Sequence, residues 1–284
     1  MEIINRRQRM ASIARKLRRE TKTVGFVPTM GALHEGHLAL VKQARSASDI
    51  LIVSIFVNPK QFNDAGDLDR YPRDLTSDAA LLAGYDVDYI YAPEKEEIYP
   101  AGFSTSVSVA GVSERLEGAS RPGHFDGVAT VVTILFNTIR PDFAFFGQKD
   151  AQQLAVIKRL TVDLGFETEI VVMPTVREES GFAMSSRNQL LDVEQRQRAP
   201  VLIEALREAK LAFKKGERNT AVLTQIVKDR ISNEPEAELD YAAVVDRESF
   251  QTIEKVGDNE ALILAAVRFG AVRLIDNVIL NRVQ

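Results

Sequence analysis

Residues 23–41 read Thr-Val-Gly-Phe-Val-Pro-Thr-Met-Gly-Ala-Leu-His-Glu-Gly-His-Leu-Ala-Leu-Val. The β-branched and apolar run over residues 23–27 reads as a strand that stops at Pro28. A loop carrying Gly31 and Gly36 follows, and then Leu38, Val41 and Ala44 fall at helical spacing. The stretch is therefore strand, glycine-bearing loop, helix. Outward from it the same alternation continues. Residues 50–57 form a run that is apolar but for Ser54, up to Asn58-Pro59, as in a strand buried on both faces. Residues 64–73 are polar and turn-rich, 75–82 read as a helix, 89–91 as a short strand, and 105–109 alternate like another. Residues 128–139 make an apolar helix closed by Pro141, 143–146 a strand, 151–164 a helix and 170–173 a strand.

Alternating strands and helices over the first 175 residues or so predict an α/β domain: a doubly wound, Rossmann-like parallel sheet with crossover helices. Such sheets bind ligands beyond the carboxyl ends of their strands, at the point where strand order reverses. The loops after Val27, Val57, Phe146 and Met173 all fall there. Beyond residue 190 the texture changes. Charged helices over 193–214 and 220–231, an acidic linker at 233–238 and strands over 239–245, 261–267 and 272–279 predict a smaller α+β domain. The expected division is residues 1–175 and 176–284.

Composition narrows the chemistry. With 284 residues, 45% apolar and 27% charged, the chain has the make-up of an ordinary globular protein. It contains no cysteine, which excludes disulfides, thiol nucleophiles and cysteine-bound metal. No apolar run approaches the roughly 18 residues a membrane span needs. A net charge of −4 argues against non-specific nucleic-acid binding. Residues 6–19 are locally basic, with Met10, Ile13 and Leu17 at helical spacing; they read as a solvated first helix, with a targeting or nucleic-acid surface as the alternative.

All three histidines lie in the first domain, two of them in His34-Glu35-Gly36-His37. Their spacing of three is not that of the zinc helix, where histidines stand four apart. A metal role and a plain capping role remain open beside a third: a helix N-terminus offers N–H groups and positive potential, and imidazoles there can donate to phosphate. Neither a dinucleotide-binding glycine fingerprint nor a Walker loop is present. Gly147-Gln148-Lys149-Asp150 follows a strand and opens a helix; Lys149 can neutralise phosphate, and Asp150 can cap the helix or help hold Mg²⁺. Met184-Ser185-Ser186-Arg187-Asn188 gathers two hydroxyls and a guanidinium, whose planar fork suits phosphate. Gln61 and Gln153 offer uncharged donor–acceptor pairs for a hydroxyl or carboxylate. No serine sits in a nucleophile elbow, so catalysis rests on positioning and charge neutralisation.

Together these segments resemble the pantothenate synthetase (pantoate–β-alanine ligase) family of the HxGH nucleotidyltransferase-like group. The resemblance is carried by residues 28–37, 54–62, 69–73, 121–128, 146–150 and 184–188, in order. It implies that ATP adenylates pantoate with release of pyrophosphate, and that β-alanine then displaces AMP to give pantothenate. It implies Mg²⁺ with ATP, a cytoplasmic homodimer, a second domain acting as a lid, and no nucleic-acid or membrane partner. By residue, it implies that Met30, Gly31, His34 and His37 cradle ATP, with Gly147, Gln148, Lys149, Asp150, Val176, Met184, Ser185, Ser186 and Arg187. His34, His37, Lys149 and Arg187 would carry catalysis, and Gln61 and Gln153 would bind pantoate, with Gln61 near β-alanine. Arg121 and His124 fall in a matching segment and would act through neighbours. Pro28, Met30 and Phe62 are candidates for an apolar wall against pantoate's methyl groups. Two departures from the family pattern stand out: Ser180-Gly181-Phe182-Ala183 where Asp-Gly-Leu-Ala is common, and Asn63-Asp64-Ala65-Gly66 in place of a proline-containing loop.

Two competing readings use the same features. A nucleotidyltransferase that stops at nucleotidyl transfer would share the histidine pair but make no amide. A non-enzymatic module holding RNA on the basic first helix would bind in a salt-sensitive way.

Overall fold

The computed structural model describes residues 1–63 and 65–281, so Asp64, in the second departure, lies outside the described residues. Two compact units emerge: Met1–Gln148 with Val156–Pro174, and Lys149–Ala155 with the chain from Thr175 on.

The first unit holds β1 (Glu2–Ile4), α1 (Arg7–Arg19), β2 (Val24–Thr29), α2 (Glu35–Ala47), β3 (Ile50–Ile55), α3 (Ala65–Arg70), α4 (Leu75–Leu82), β4 (Tyr89–Tyr91), α5 (Lys95–Ile98), α6 (Glu117–Ser120), α7 (His124–Ile139), β5 (Phe143–Gly147), most of α8 (Ala151–Asp163) and β6 (Glu169–Met173). All six strands run parallel, in the order β1-β4-β3-β2-β5-β6. From β2 the chain builds outward through β3 and β4, then crosses to the other side for β5 and β6. The order therefore reverses between β2 and β5, and the switch point lies at the carboxyl end of β2.

Strand alternation shows why both faces are covered. Val27 belongs to the core with Leu38, Val41 and Ala44 of α2. Its neighbour Phe26 points the other way and meets Phe136 of α7 edge-on, ring centroids 6.4 Å apart. The expected parallel sheet is thus present, with an additional edge strand: β1 has three residues and buries only Ile4, too short to stand out from its apolar pattern. Residues 105–109 form no strand; the Val107 N–H instead donates to Thr130 Oγ1 of α7. Helix α7 begins at His124 rather than 128, because Gly123, at φ 78°, turns the chain into it.

The second unit carries α9 (Val193–Arg198), α10 (Val201–Lys214), α11 (Thr220–Ser232) and an antiparallel sheet of β7 (Ala237–Asp246), β8 (Ala261–Phe269) and β9 (Val272–Leu280), in that order. Leu202, Leu206, Phe213, Leu223, Val227, Ile231, Ile263, Val267 and Phe269 make its core. The single helix expected over 193–214 is two, since α9 ends at Arg198 and Pro200 caps the start of α10. Proline has no N–H to continue the helix before it, but its fixed φ suits a new start.

Candidate functional site

At the carboxyl end of β2 the Thr29 hydroxyl donates to the Ser54 carbonyl (2.7 Å) and accepts from the Gly31 N–H (3.2 Å). The backbone then passes through two left-handed residues, Gly31 at φ 84° and Ala32 at φ 51°. The next two N–H groups are taken by one carboxylate: Asp78 Oδ2 accepts from Ala32 (3.1 Å) and Oδ1 from Leu33 (2.8 Å). Burial holds the Asp78 carboxyl above its ordinary range, with Asp74 adding to the push and the two N–H bonds offsetting only part of it.

This loop delivers His34 to the N-cap of α2. The Gly36 N–H donates to His34 Nδ1 (3.1 Å), and the His34 N–H donates more weakly to His37 Nδ1 (3.4 Å), a reciprocal capping box. The two rings lie 4.1 Å apart. An Nδ1 that accepts carries no proton, so in the neutral ring Nε2 is the donor. The capping role left open by the sequence is therefore real, and it sets each ring's tautomer for donation from Nε2.

Gln61 ends a 3-10 turn, Pro59–Gln61, after β3. Its Nε2 donates to Met30 Sδ (3.0 Å), and its Oε1 accepts from Asn58 Nδ2 (2.9 Å). Asn58 also donates to the Gly127 carbonyl (3.0 Å) and accepts from the Tyr99 hydroxyl (2.7 Å). The Gln61 carbonyl can only accept, so His124 Nδ1, at 2.8 Å, must be the donor. That leaves His124 Nε2 to accept from Arg121, 3.2 Å away. Arg121 and His124 thus hold the Gln61 backbone. Phe62 meets Tyr71 edge-on at 5.6 Å. Asn58, Asp78 and Tyr99 are the members of this cluster to which the sequence assigned no role.

The second unit organises its own donors. Gly147 closes β5 and Gln148 is buried, both in the first unit; Lys149 and Asp150 belong to the second, their side chains 3.5 Å apart. The Lys149 carbonyl accepts from Asn277 Nδ2 of β9 (3.0 Å), and Gln153 lies half-buried in the first turn of α8. The Met184 N–H donates to the Val176 carbonyl (3.0 Å), with Arg177 and Ala183 bridged beside it. Arg177 forks onto the buried Asp276 carboxylate of β9 at 2.5 and 3.0 Å. Ser185 Oγ accepts from the Arg187 N–H (3.3 Å) and caps the 3-10 turn Ser186–Leu190, which packs against β9. In the departing segment, Ser180 Oγ accepts from the Phe182 N–H (3.3 Å), a turn an aspartate could make equally.

Among the described residues, no group of three histidine or carboxylate side chains is placed to hold a metal, and no helix is long and apolar enough to cross a membrane.

A doubly wound parallel sheet with capped histidines at its switch point, joined to a small α+β unit, defines a class of α/β ligand-binding enzyme folds. Comparison with known proteins narrows it. The pantoate–β-alanine ligase family model matches residues 2–279. A curated pantothenate synthetase from Caldicellulosiruptor saccharolyticus is 50% identical over 281 residues, covering 99% of this chain and all of the relative. One from Pelotomaculum thermopropionicum is 49% identical over 282 residues, with 99% and 100% covered. The crystal structure of pantothenate synthetase from Thermus thermophilus superposes with a TM-score of 0.92 at 43% identity, over 99% of this chain and 100% of that one. The Francisella tularensis pantoate–β-alanine ligase, complexed with β-γ ATP and β-alanine, superposes with a TM-score of 0.81 at 38% identity, over 98% and 97%. The chain belongs to the pantoate–β-alanine ligase family, enzymes that form an amide bond.

Proposed function

We propose that the chain joins pantoate to β-alanine through a pantoyl-adenylate. A pantoate carboxylate oxygen attacks the α-phosphorus of ATP as the bond to pyrophosphate breaks. The β-alanine amine, once deprotonated, then attacks the acyl carbon; the C–O bond to AMP breaks and an amide forms. Carboxylates acylate amines poorly, and conversion to a mixed anhydride supplies the leaving group.

The observation that carries this reading is the family match along residues 2–279 together with His34 and His37, whose capping contacts commit Nε2 to donation. Negative charge that builds on the phosphate oxygens calls for preorganised donors. His34 and His37 supply two at the N-terminus of α2, where the helix field adds to them. Lys149, Ser185, Ser186 and Arg187 are proposed to supply the rest, with Met30, Gly31, Gly147, Gln148, Asp150, Val176 and Met184 lining the nucleotide. Gln61 and Gln153 are proposed to hold pantoate. The Asn58 and Met30 contacts orient the Gln61 amide, and Pro28, Met30 and Phe62 offer an apolar wall.

Mg²⁺ is expected to arrive with ATP. Asp150 is half-exposed and beside Lys149, which suits a cation carried mainly by phosphate oxygens rather than a protein cage. The ion would offset charge on the triphosphate. The family resemblance also leads us to propose a homodimer.

The test is to supply ATP, Mg²⁺ and pantoate with and without β-alanine. AMP should accumulate with turnover only when the amine is present, matched by pantothenate. Amine-independent AMP release with no amide would overturn the reading.

A further inference from the structure

We propose that Asp78 is a positioning residue for the histidine pair: by accepting the Ala32 and Leu33 N–H groups, its carboxylate holds the turn that places His34 and His37. The inference rests on the reaction proposed above and extends it to a residue outside the nucleotide and pantoate contacts.

Three observations support it. First, the turn between β2 and α2 is conformationally expensive, because it passes through consecutive left-handed residues and Ala32, at φ 51°, is not glycine. Such a conformation persists only where surrounding contacts over-determine it. Second, the contacts that do so come from side chains. Thr29 takes the Gly31 N–H, and Asp78, anchored on α4 and 3% exposed, takes the next two at 3.1 and 2.8 Å. A buried carboxylate receiving two charge-assisted bonds is a stiff support. Third, the fit is close: a Cβ on Gly31 would lie 2.8 Å from Asp78 Oδ2. The carboxylate is packed against the turn, one residue before His34, and its hold passes along the backbone to the N-cap.

Asp78→Asn keeps the shape but replaces one acceptor with a donor facing an N–H, so one of the two bonds is lost. Folding is confirmed by circular dichroism and the urea midpoint, with Asp78→Ser as the second variant if the asparagine destabilises. We expect kcat to fall about 10–100-fold while KM for β-alanine stays within twofold. We expect the loss in the double variant with His34→Ala to fall well short of the product of the two single losses, since part of what Asp78→Asn removes is already gone with His34. ¹⁵N resonances of the His34 and His37 rings, recorded without substrate, should shift in Asp78→Asn.

Wild-type kcat in a folded Asp78→Asn protein, fully multiplicative losses in the double variant, or unmoved ring resonances would each overturn the proposal. The ring spectra judge Asp78 even if the wild-type chain makes no pantothenate, an outcome that would instead sink the reaction.

Discussion

At the residue scale, His34 has one observed contact, the helix cap, and one proposed role, proton donation to phosphate, and substitution can separate them. Its Nδ1 caps α2 and its Nε2 carries the proton to donate. His34→Ala removes both, and we expect turnover to fall roughly 10²–10³-fold, the cost of one transition-state donor, and stability to fall by about 1 kcal/mol, the cost of an N-cap. His34→Asn keeps a good cap and should restore the urea midpoint without restoring turnover. Recovery of both by asparagine would leave His34 a structural residue. Gln61→Ala should raise KM for pantoate at least about tenfold while changing the Kd of a non-hydrolysable ATP analogue far less, since its amide is proposed to meet pantoate and its loss strips a polar partner from a buried site. Calorimetry and steady-state kinetics check the two halves. The histidines were legible because type and local context coincided: two imidazoles in a glycine-bearing loop opening a helix. Asp78, Asn58 and Tyr99 were not. Asp78 meets the loop across 45 and 46 residues, and Tyr99 meets Asn58 across 41. Nothing in a single sequence announces such a meeting.

At the element scale, the contact between α7 and the 59–61 turn depends on Gly127. A Cβ there would sit 2.4 Å from the Lys60 carbonyl oxygen and 2.8 Å from the Gln61 nitrogen, both backbone. Neither can swing aside, so Gly127→Ala must push α7 off the turn that carries Gln61. We expect a loss of about 1–3 kcal/mol, typical of overpacking, and a rise in KM for pantoate larger than that for β-alanine, measured by urea unfolding and kinetics. Helix α1 bears on the competing nucleic-acid reading. It buries Met10, Ile13, Ala14 and Leu17, while Arg6, Arg9, Lys16 and Arg18 each meet a glutamate. Those contacts favour the solvated first helix expected from its spacing. Periodicity identified the elements with strong patterns, β2, β3 and α2 among them. It failed where termination was local and chemical: Pro200 divides α9 from α10, and Gly123 starts α7 four residues before its apolar run.

For the whole molecule, the all-parallel sheet followed from alternation alone, because parallel strands need crossovers and crossovers need helices. The division of the chain between the two units is less legible: Lys149–Ala155 groups with the C-terminal unit, although it opens a helix that otherwise belongs to the first. That grouping rests on long-range contacts such as Asn277 to the Lys149 carbonyl, which no local pattern encodes. Within the second unit Asp276, 3% exposed, holds Arg177 beside the Val176–Met184 pairing. Asp276→Ala leaves a partly buried guanidinium without its carboxylate. We expect about 3–5 kcal/mol of destabilisation, read as a lower urea midpoint; a midpoint within error of wild type would show that the pair contributes little. Activation of the acid on phosphorus, as proposed, has a direct isotopic signature. Pantoate with ¹⁸O at both carboxylate oxygens should transfer one labelled oxygen to AMP for each pantothenate formed, because the anhydride's bridging oxygen leaves with the nucleotide and the other stays in the amide carbonyl. Labelled AMP is the predicted mass-spectrometric result. Unlabelled AMP accompanying labelled pantothenate would mean that the acid is not activated on phosphorus.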